Sequence, residues 1–291
     1  MISNKLDIVI ISHASIDITI EGIFLGGPTS YGGRILSELG SNFLVVPQIG
    51  RNDFLFRDYY YKKIKKYVFI ENKNTTTFRL EECKGLRNIY VVKRAENLNI
   101  KNIPKEAFQS KYILLSPIVD DMPIDFVRDV AAKSHNGVVC IDPFNNDNGR
   151  FTRKHKHYFE QLLDYVQIIK LSKNELLGLS DCKDMYKALE RLGCSKVLFL
   201  ITLGSQGVLV YNKNMWKIVP PFKKYLVKDT TGCGDIFFAS FIYGLVNNFP
   251  LLESALFGNI CAGLSVREKG VDSIPSKSDI WEEFENRCSY K

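Results

Sequence analysis

The sequence lacks the features that mark several common classes of protein. It contains no run of about 18 or more apolar residues, the length that a membrane-spanning helix requires, so no membrane partner is expected. Its seven cysteines are odd in number and include no CxxC pair, which argues against both a disulfide framework and a zinc site. It shows no internal repeat, low-complexity tract or linker. These absences favour a single globular domain with free thiols, as is usual in a reducing compartment.

Basic residues are in excess, but they are not concentrated in one place. The formal net charge is +7, which would suit an anionic small molecule or a nucleic acid. The densest cluster, "RDYYYKKIKKY" at 57–67, has helical spacing with its aromatic residues on one face. We interpret it as a solvated helix face with a packed underside, and no nucleic-acid partner is expected. The first apolar stretch turns polar too soon for a signal peptide, so we expect a cytoplasmic protein.

Strand-like and helix-like segments alternate along most of the chain. Apolar runs such as "IVII" at 8–11 and "YILL" at 112–115 are typical of strands buried on both faces, and helix-compatible segments separate them. The alternation predicts an α/β fold with a doubly wound, mostly parallel sheet in one domain over residues 1–291. In such a sheet, ligands bind beyond the carboxyl ends of the strands. Several polar residues fall near these predicted ends: Asp17, Asp142, Ser172, Glu175, Thr202 and Gly204.

One part of the chain departs from this alternation. "TTTFRLEE" and "RNIYVVKRA" alternate polar and apolar residues on either side of "CKGL", the pattern of a hairpin with one solvated face. Such a hairpin does not fit into a buried parallel sheet. We therefore predict a small β lid, formed by about residues 18–27 and 74–95.

The segment "VKDTTGCGDIFFASF" at 227–241 carries the strongest indication of function. Its glycines precede an apolar run, which predicts a helix whose first turn contains Gly232, Cys233 and Gly234. Backbone N–H groups without intrahelical partners lie in such a turn, and with the helix dipole they favour a bound anion. Glycines there would let a bulky anion approach closely. Asp235 would repel a phosphate unless it accepts a proton from a group that attacks the phosphate. This arrangement suits phosphoryl transfer to an alcohol.

A helix cap with a nearby aspartate is the simpler explanation of the same residues. A cap needs only one or two of the residue types in D-T-x-G-x-G-D, whereas this sequence has all five. "DTTGCGD" at 229–235 also resembles the C-terminal signature of the ribokinase (PfkB) family of carbohydrate and nucleoside kinases. The resemblance covers nearly the whole chain. Six other similar segments follow the family's order: "ASIDI", "GGPTSYGGRILSELG", "IDPFNN", "KLSKNELLGL", "ITLGSQGVLVY" and "GNICAGLSVREKGVDSIPS".

The resemblance implies a doubly wound α/β fold with a small β lid and an ATP-dependent kinase activity. The γ-phosphoryl group would go to a hydroxyl of a sugar or polyol, with a nucleoside as the alternative acceptor. By similarity to the family's motifs, Asp235 is the catalytic base, and Gly232, Cys233 and Gly234 form the anion hole. Glu175 matches a glutamate that helps to hold Mg²⁺ through water.

The same resemblance implies contacts to the nucleotide and to a second cation. Asp229 and Thr231 match positions that hold a monovalent cation in some members of the family. Ser172 replaces the asparagine of the family's N-x-x-E element, a mild change. The residues at nucleotide-binding positions are Ser172, Thr202, Gly204, Gly207 and Asn259.

The acceptor side is less closely defined by these motifs. Asp17, Gly27 and Asp142 are the candidates, because a carboxylate accepts two hydrogen bonds at once from paired sugar hydroxyls. Asp17 and Asp142 also have a simpler explanation as turn residues, as has Asn145. Tyr31 replaces the asparagine of the family's G-G-x-x-x-N element, a variant similar to that of archaeal-type members, and the lid should be short. We expect Tyr31 to line the acceptor pocket.

A second hypothesis is a non-catalytic sensor that kept the fold and the ligand pocket. Such a protein would be expected to lose Asp235 or the glycines first, and all are present. Cys233, where the family usually has alanine, is predicted at a helix N-terminus, where a lowered thiol pKa would make it a target for alkylation. The sequence leaves open whether the protein is a monomer or a homodimer.

Overall fold

The computed structural model describes residues 5–83, 86–144, 150–192, 196–222 and 224–288. These ranges contain two β-sheets, with helices packed on the larger one. None of the helices there is both long and apolar enough to cross a membrane. The strands are β1 (Ile8–His13), β2 (Ser15–Thr19), β3 (Gly22–Gly26), β4 (Phe43–Gly50), β5 (Ile70–Asn72), β6 (Thr76–Cys83), β7 (Leu86–Lys93), β8 (Tyr112–Ser116), β9 (Val138–Ile141), β10 (Ile168–Ser172), β11 (Leu198–Thr202), β12 (Val208–Asn212) and β13 (Met215–Val219). The helices are α1 (Pro28–Leu39), α2 (Phe54–Lys63), α3 (Ile124–Lys133), α4 (Arg153–Leu162), α5 (Lys173–Ser180), α6 (Met185–Leu192), α7 (Cys233–Val246), α8 (Leu251–Ser265) and α9 (Lys277–Cys288).

The larger sheet has the strand order β13-β12-β11-β10-β9-β8-β1-β4-β5. Neighbouring strands run parallel from β11 to β5, whereas β12 and β13 form an antiparallel hairpin at one edge. Every residue of β1 and β4 is buried, which explains why neither strand alternates polar and apolar residues. The predicted α/β fold with a mostly parallel sheet is confirmed.

Successive side chains of β1 belong to two separate apolar layers. Ile8 and Ile10 pack in a layer with residues from α1, α7, α8 and α9. Val9 and Ile11 pack in the other layer, with residues from α3, α4, α5 and α6. Full burial of one such side chain contributes about 1.5–3 kcal/mol to stability. The sheet is therefore held between two groups of helices, as a doubly wound fold requires.

Close packing determines the position of α7. A Cβ atom at Gly244 would lie 2.9 Å from the Cα atom of Ser254 in α8, so the two helices approach as only glycine allows. A Cβ atom at Gly258 of α8 would likewise lie 2.9 Å from the carbonyl oxygen of Phe237. Every residue from Ile236 to Gly244 is buried. Because α7 cannot shift, the location of its N-terminus is determined by the core.

The second sheet has the order β3-β2-β6-β7 and is smaller. β6 and β7 are the hairpin strands expected within 74–95. The other pair begins at Ser15, three residues before the predicted boundary at 18, because β2 follows β1 with only Ala14 between them. Asp17 is therefore not a turn residue at the end of a strand. It lies within β2, opposite Phe78 of β6.

A buried polar cluster lies where the chain passes from one sheet to the other. His13, the last residue of β1, places Nδ1 2.9 Å from Asp121 Oδ2 and 3.2 Å from Thr76 Oγ1 at the start of β6. Its Nε2 lies 3.1 Å from Gln48 Nε2 of β4. The backbone N–H of Ala95, just after β7, donates to Thr76 Oγ1 at 3.2 Å. These contacts tie both long strands of the smaller sheet to the carboxyl end of β1.

The turn between β11 and β12 offers a test of the backbone geometry. Gly207 has φ +98°, and a Cβ atom there would overlap the Val219 carbonyl and lie 2.9 Å from Pro221 N. Gly204 has φ +57°, and a Cβ atom there would meet open space. We expect Gly207→Ala to lower the free energy of unfolding by about 3 kcal/mol and Gly204→Ala by about 1 kcal/mol. Denaturant unfolding midpoints measure both. Equal losses would contradict this account of the turn.

Candidate active site

A cavity of about 560 Å³ lies between the two sheets at the carboxyl ends of the parallel strands. The N-terminus of α7 forms one wall, and Phe78, Leu80 and Ile89 of the smaller sheet form another. The predicted site residues that line it are Asp17, Gly27, Tyr31, Asp142, Ser172, Glu175, Thr202, Gly204, Thr231, Gly232, Gly234 and Asp235. Four others, Cys233, Gly207, Asn259 and Asp229, do not line it, and Asn145 lies outside the described residues.

The first turn of α7 leaves backbone donors available at the cavity. Gly232 adopts the left-handed conformation, with φ 75°, and caps the helix. The N–H of Cys233 donates to the Thr230 carbonyl at 3.2 Å, and that of Ile236 to the Gly232 carbonyl at 2.9 Å. Within the described ranges, the N–H groups of Gly234 and Asp235 have no hydrogen-bond acceptor. Two donors and the positive end of the helix dipole are thus available to an anion.

Both glycines of this turn make room for side chains of the protein itself. A Cβ atom at Gly232 would overlap the ring of Tyr31. A Cβ atom at Gly234 would lie 2.8 Å from Lys170 Nζ. The sequence suggested that these glycines let an anion approach closely. The structure adds a second reason for them: larger residues would displace Tyr31 or Lys170.

Asp235 lies in the same turn, partly accessible from the cavity. Removal from bulk water raises its pKa to about 6, Lys170 acts in the opposite direction, and the negative charge of Asp17 raises it further. An ordinary aspartate has a pKa near 4. A carboxylate with a pKa of about 6 remains largely ionised at neutral pH and accepts a proton more readily.

Lys170 is a residue of the site that the sequence analysis missed. Its side chain is buried in β10 and donates to Oδ2 of Asp142, the residue that directly follows the adjacent strand β9. Burial by itself lowers the pKa of Lys170, but Asp142, Glu175 and Asp235 together raise it above the ordinary value, so the ammonium stays charged. The signal in the sequence was a single lysine within the otherwise apolar run "IIKL", where an unpaired charge would be costly.

Glu175 and Ser172 form a reciprocal cap at the start of α5. The Ser172 N–H donates to Glu175 Oε2 at 2.7 Å, and the Glu175 N–H donates to Ser172 Oγ at 3.2 Å. The cap holds the buried Glu175 carboxylate at the cavity wall. In the described part of the chain, no group of three or more His, Cys, Asp or Glu residues could hold a metal directly. The carboxylate oxygens of Glu175 are of the type that Mg²⁺ takes as ligands.

Asp229 and Thr231 lie at a second cavity of about 370 Å³, which shares Asp17 and Tyr31 with the first. Asp229 Oδ1 accepts from the N–H of Thr231 at 2.9 Å and from its hydroxyl at 2.6 Å. Asp229 Oδ2 lies 3.5 Å from the N–H of Gly270. These bonds shape the loop that leads into α7.

Gly207 and Asn259 meet at the chain segment that follows β13. The amide of Asn259 donates to the carbonyl oxygens of Val219, at 3.2 Å, and Pro220, at 2.9 Å. Gly207 packs against the same carbonyl of Val219. The two residues therefore brace the end of β13, beside the cavity rather than in its wall.

Cys233 differs from the sequence-based expectation. Its Sγ atom lies 3.7 Å from the Ala262 carbonyl and 3.5 Å from Ser265 Oγ, so the thiol faces α8 and not the cavity. Burial raises the pKa of Cys233 to about 11, and the charges of Asp229 and Asp235 act in the same direction. The prediction of a lowered thiol pKa is wrong, because the side chain points away from the free N–H groups that would stabilise a thiolate.

Tyr31 lies between the acidic residues of both cavities. It is 2% exposed, and its ring packs on Gly232. Burial raises the pKa of Tyr31 well above its usual range, and the charges of Asp17, Asp229 and Asp235 add to the effect. The hydroxyl therefore stays protonated beside these carboxylates.

Comparison with known proteins identifies the family. Residues 34–278 match the family described as pfkB family carbohydrate kinase. The chain belongs to this family. This membership confirms the resemblance found in the sequence, and the PfkB fold accounts for the cavity at the carboxyl ends of the strands.

Individual relatives of this PfkB family member act on different acceptors, to judge by their names. A probable chloroplastic fructokinase-6 from Arabidopsis thaliana is 33% identical over 128 residues, 40% of this chain and 33% of that protein. An inositol 3-kinase from the same plant is 24% identical over 258 residues, 84% of this chain and 68% of that protein. The crystal structure of ribokinase from Thermotoga maritima has a TM-score of 0.78 and 26% identity, covering 97% of this chain and 99% of that one. The fructokinase match thus spans about a third of that relative.

The raised pKa of Asp235 should be visible in protein stability. Because its folded-state pKa is about 6, above the ordinary 3.8, the folded protein binds the proton more tightly than the unfolded chain, and stability is lost as pH rises through 6. Asp235→Asn should therefore raise the free energy of unfolding by about 2 kcal/mol near pH 8 and have little effect near pH 4. Denaturant unfolding at both pH values measures this, with Asp164→Asn on the exposed surface as control. A loss of stability near pH 8 would contradict the assignment.

Proposed function

We propose that the protein is an ATP-dependent kinase that transfers the γ-phosphoryl group of ATP directly to a hydroxyl of a sugar or polyol. One observation carries the proposal. A carboxylate with a raised pKa, Asp235, lies in a helix first turn whose N–H groups of Gly234 and Asp235 lack acceptors in the described structure. A base and an anion site are thus adjacent in one cavity, which is what phosphoryl transfer to an alcohol requires.

In the proposed reaction, the acceptor oxygen forms a bond to the γ-phosphorus while the bond from that phosphorus to the β–γ bridging oxygen breaks. The hydroxyl proton passes to the Asp235 carboxylate, and ADP leaves with the bridging oxygen and its electron pair. Negative charge on the transferring group is stabilised by the two free N–H groups and the dipole of α7. Mg²⁺ bound to the phosphates would neutralise their charge, and Glu175 would hold it through water.

Asp17 is proposed to bind the acceptor. Ser15 Oγ donates to Asp17 Oδ1 at 3.2 Å, and a Cβ atom at Gly26 would lie 2.5 Å from Asp17 Oδ2, so that glycine makes room for the carboxylate. A carboxylate can accept two hydrogen bonds at once, which suits neighbouring hydroxyls of a sugar or polyol. Gly27 and Tyr31 complete this wall of the cavity. The smaller sheet, which carries Asp17, acts as the lid in this proposal.

A nucleoside is the second candidate acceptor, and one observation favours it. Phe78 of β6 is paired with Asp17 of β2. Leu80, also in β6, is paired with Ile89 of β7. All line the cavity, so a carboxylate stands beside an apolar strip. A ribose diol at Asp17 would place a planar base on this strip. A sugar or polyol would instead leave the strip in contact with its hydroxyl-bearing face.

The proposed base, Asp235, and the proposed anion site in the first turn of α7 are both present, which argues against the alternative of a non-catalytic sensor.

Replacing the proposed base tests the function. Asp235→Asn should still bind nucleotide but lower turnover by about three orders of magnitude or more, as loss of a positioned base does. ADP release with ATP and Mg²⁺ is measured over a panel of pentoses, hexoses, inositols and nucleosides, with Asp164→Asn as the matched control. One preferred acceptor that stimulates ADP release by the wild type and Asp164→Asn, but not by Asp235→Asn, would support the mechanism and identify the acceptor class. Near-normal turnover by Asp235→Asn would exclude it.

A monovalent cation at Asp229 and Thr231 is also part of the proposal. The loop that these residues shape leads directly into the first turn of α7, so an ion there would act on the anion site through the backbone. We expect turnover to be faster in potassium chloride than in choline chloride at equal ionic strength. Equal rates in the two salts would remove the cation from the account.

A further inference from the structure

The cavity contains a buried cation to which the proposed reaction has so far assigned no role. Its described lining includes two lysines: Lys173 is exposed, whereas Lys170 is buried and stays charged. Removing an ammonium from water is costly unless partners compensate. Asp142 provides one such partner, through a single hydrogen bond to Oδ2. The ammonium has three N–H donors, and within the described part of the chain its hydrogen bond to Asp142 uses one, which leaves two for a ligand.

The charges around the cavity explain why a cation would be needed there. Among the described residues, four carboxylates line it, those of Asp17, Asp142, Glu175 and Asp235. A nucleotide triphosphate that enters such a cavity brings several more negative charges, and repulsion between like charges is strong where water is excluded. Mg²⁺ bound to the phosphates would compensate part of this charge. A fixed positive charge at the reacting phosphoryl group would compensate more, without reorganisation during the reaction.

Lys170 occupies the place where such a charge would act. Its Nζ atom is so close to Gly234 that a Cβ atom there would lie 2.8 Å away. Gly234 and Asp235 are the residues whose N–H groups have no acceptor within the described ranges. The ammonium, the free N–H groups and the carboxylate of the base therefore surround the same corner of the cavity.

We propose that Lys170 is a further catalytic residue, whose ammonium, held in place by Asp142, binds the γ-phosphoryl group beside the N–H groups of Gly234 and Asp235. The proposal rests on the proposed kinase function. Asp142, predicted from the sequence as an acceptor ligand, then acts as the positioning residue of Lys170. Lys170 shares the charge of the transferring group, and Gly234 is required because its missing side chain makes room for the ammonium.

The alternative is a purely structural ion pair between Lys170 of β10 and Asp142, the residue that follows β9. Such a pair would affect folding but would not distinguish ATP from ADP. A ligand of the γ-phosphoryl group must distinguish them, because ADP lacks that group. The ratio of the two dissociation constants therefore separates a catalytic role from a structural one.

The test uses the full chain, with Mg²⁺–ATP and Mg²⁺–ADP as probes and no acceptor present, followed by turnover with the preferred acceptor. Lys170→Met removes the charge and keeps a long side chain. Lys170→Met would also remove the cation beside the buried Asp142 carboxylate. The double variant Lys170→Met with Asp142→Asn therefore removes both charges, which reduces the risk of a folding defect. Lys170→Arg keeps a positive charge. Lys217→Met is the matched control, because Lys217 is an exposed residue of β13.

We expect the wild type and Lys217→Met to bind ATP more tightly than ADP. Both variants lacking the Lys170 charge should bind ATP about tenfold more weakly, with ADP affinity changed by less than about twofold, and their turnover should fall about 100- to 1,000-fold. Lys170→Arg should recover part of the ATP preference. A folded double variant with wild-type ATP preference and turnover within about threefold of wild type would overturn the role of Lys170.

Failure of the kinase proposal would be distinct, since it would be seen in the wild type itself. A wild type that binds no ATP, or releases no ADP with any acceptor, removes the proposed function and the role of Lys170 with it. If the wild type binds ATP and turns over, and the double variant has the same ATP preference and turnover, only the role of Lys170 is removed.

Discussion

The contact of the first turn of α7 with Tyr31 and Lys170 is the constraint on which the site depends. Gly232 and Gly234 have no side chains, and the Tyr31 ring and the Lys170 ammonium occupy the space beside them. Residues 236–244 of α7 are buried, and Gly244 and Gly258 allow close contact between α7 and α8, so the core holds the turn against these neighbours. Core packing thus determines where two free N–H groups and a carboxylate meet the cavity.

This arrangement carries a cost in stability. Carboxylates approach one another around the cavity, and one of them, Asp235, has its pKa raised to about 6 as a result of desolvation and the charge of Asp17. Lys170 offsets part of the repulsion, and its own charge is maintained by the same carboxylates. Natural proteins commonly accept such destabilised groups at functional sites. The ion pair of Lys170 with Asp142 and the catalytic arrangement are therefore parts of one charge balance.

Most of the fold could be predicted because hydrophobic periodicity and glycine positions are local signals. The strand predicted from the run at 8–11 and the hairpin predicted within 74–95 agree with the structure. Local signals failed where tertiary contacts decide. The helix interpreted from the spacing at 57–67 ends at Lys63, because Ile64 is extended. The strand that carries Asp17 was not recognised, because it follows β1 with only Ala14 between them. The orientation of Cys233 toward α8 and the pairing of Lys170 with Asp142 depend on residues far away in sequence, so spacing alone could not predict either.

The proposed chemistry depends on Asp235, a carboxylate whose surroundings adapt it to accept a proton. A ¹³C NMR titration of the aspartate carboxyl carbons measures its pKa, with the Asp235 signal assigned by its absence from Asp235→Asn. We expect a pKa near 6 in the wild-type protein without ligands. A pKa near the ordinary value of about 4 would contradict it, because the site would then contain a solvated aspartate rather than an adapted base.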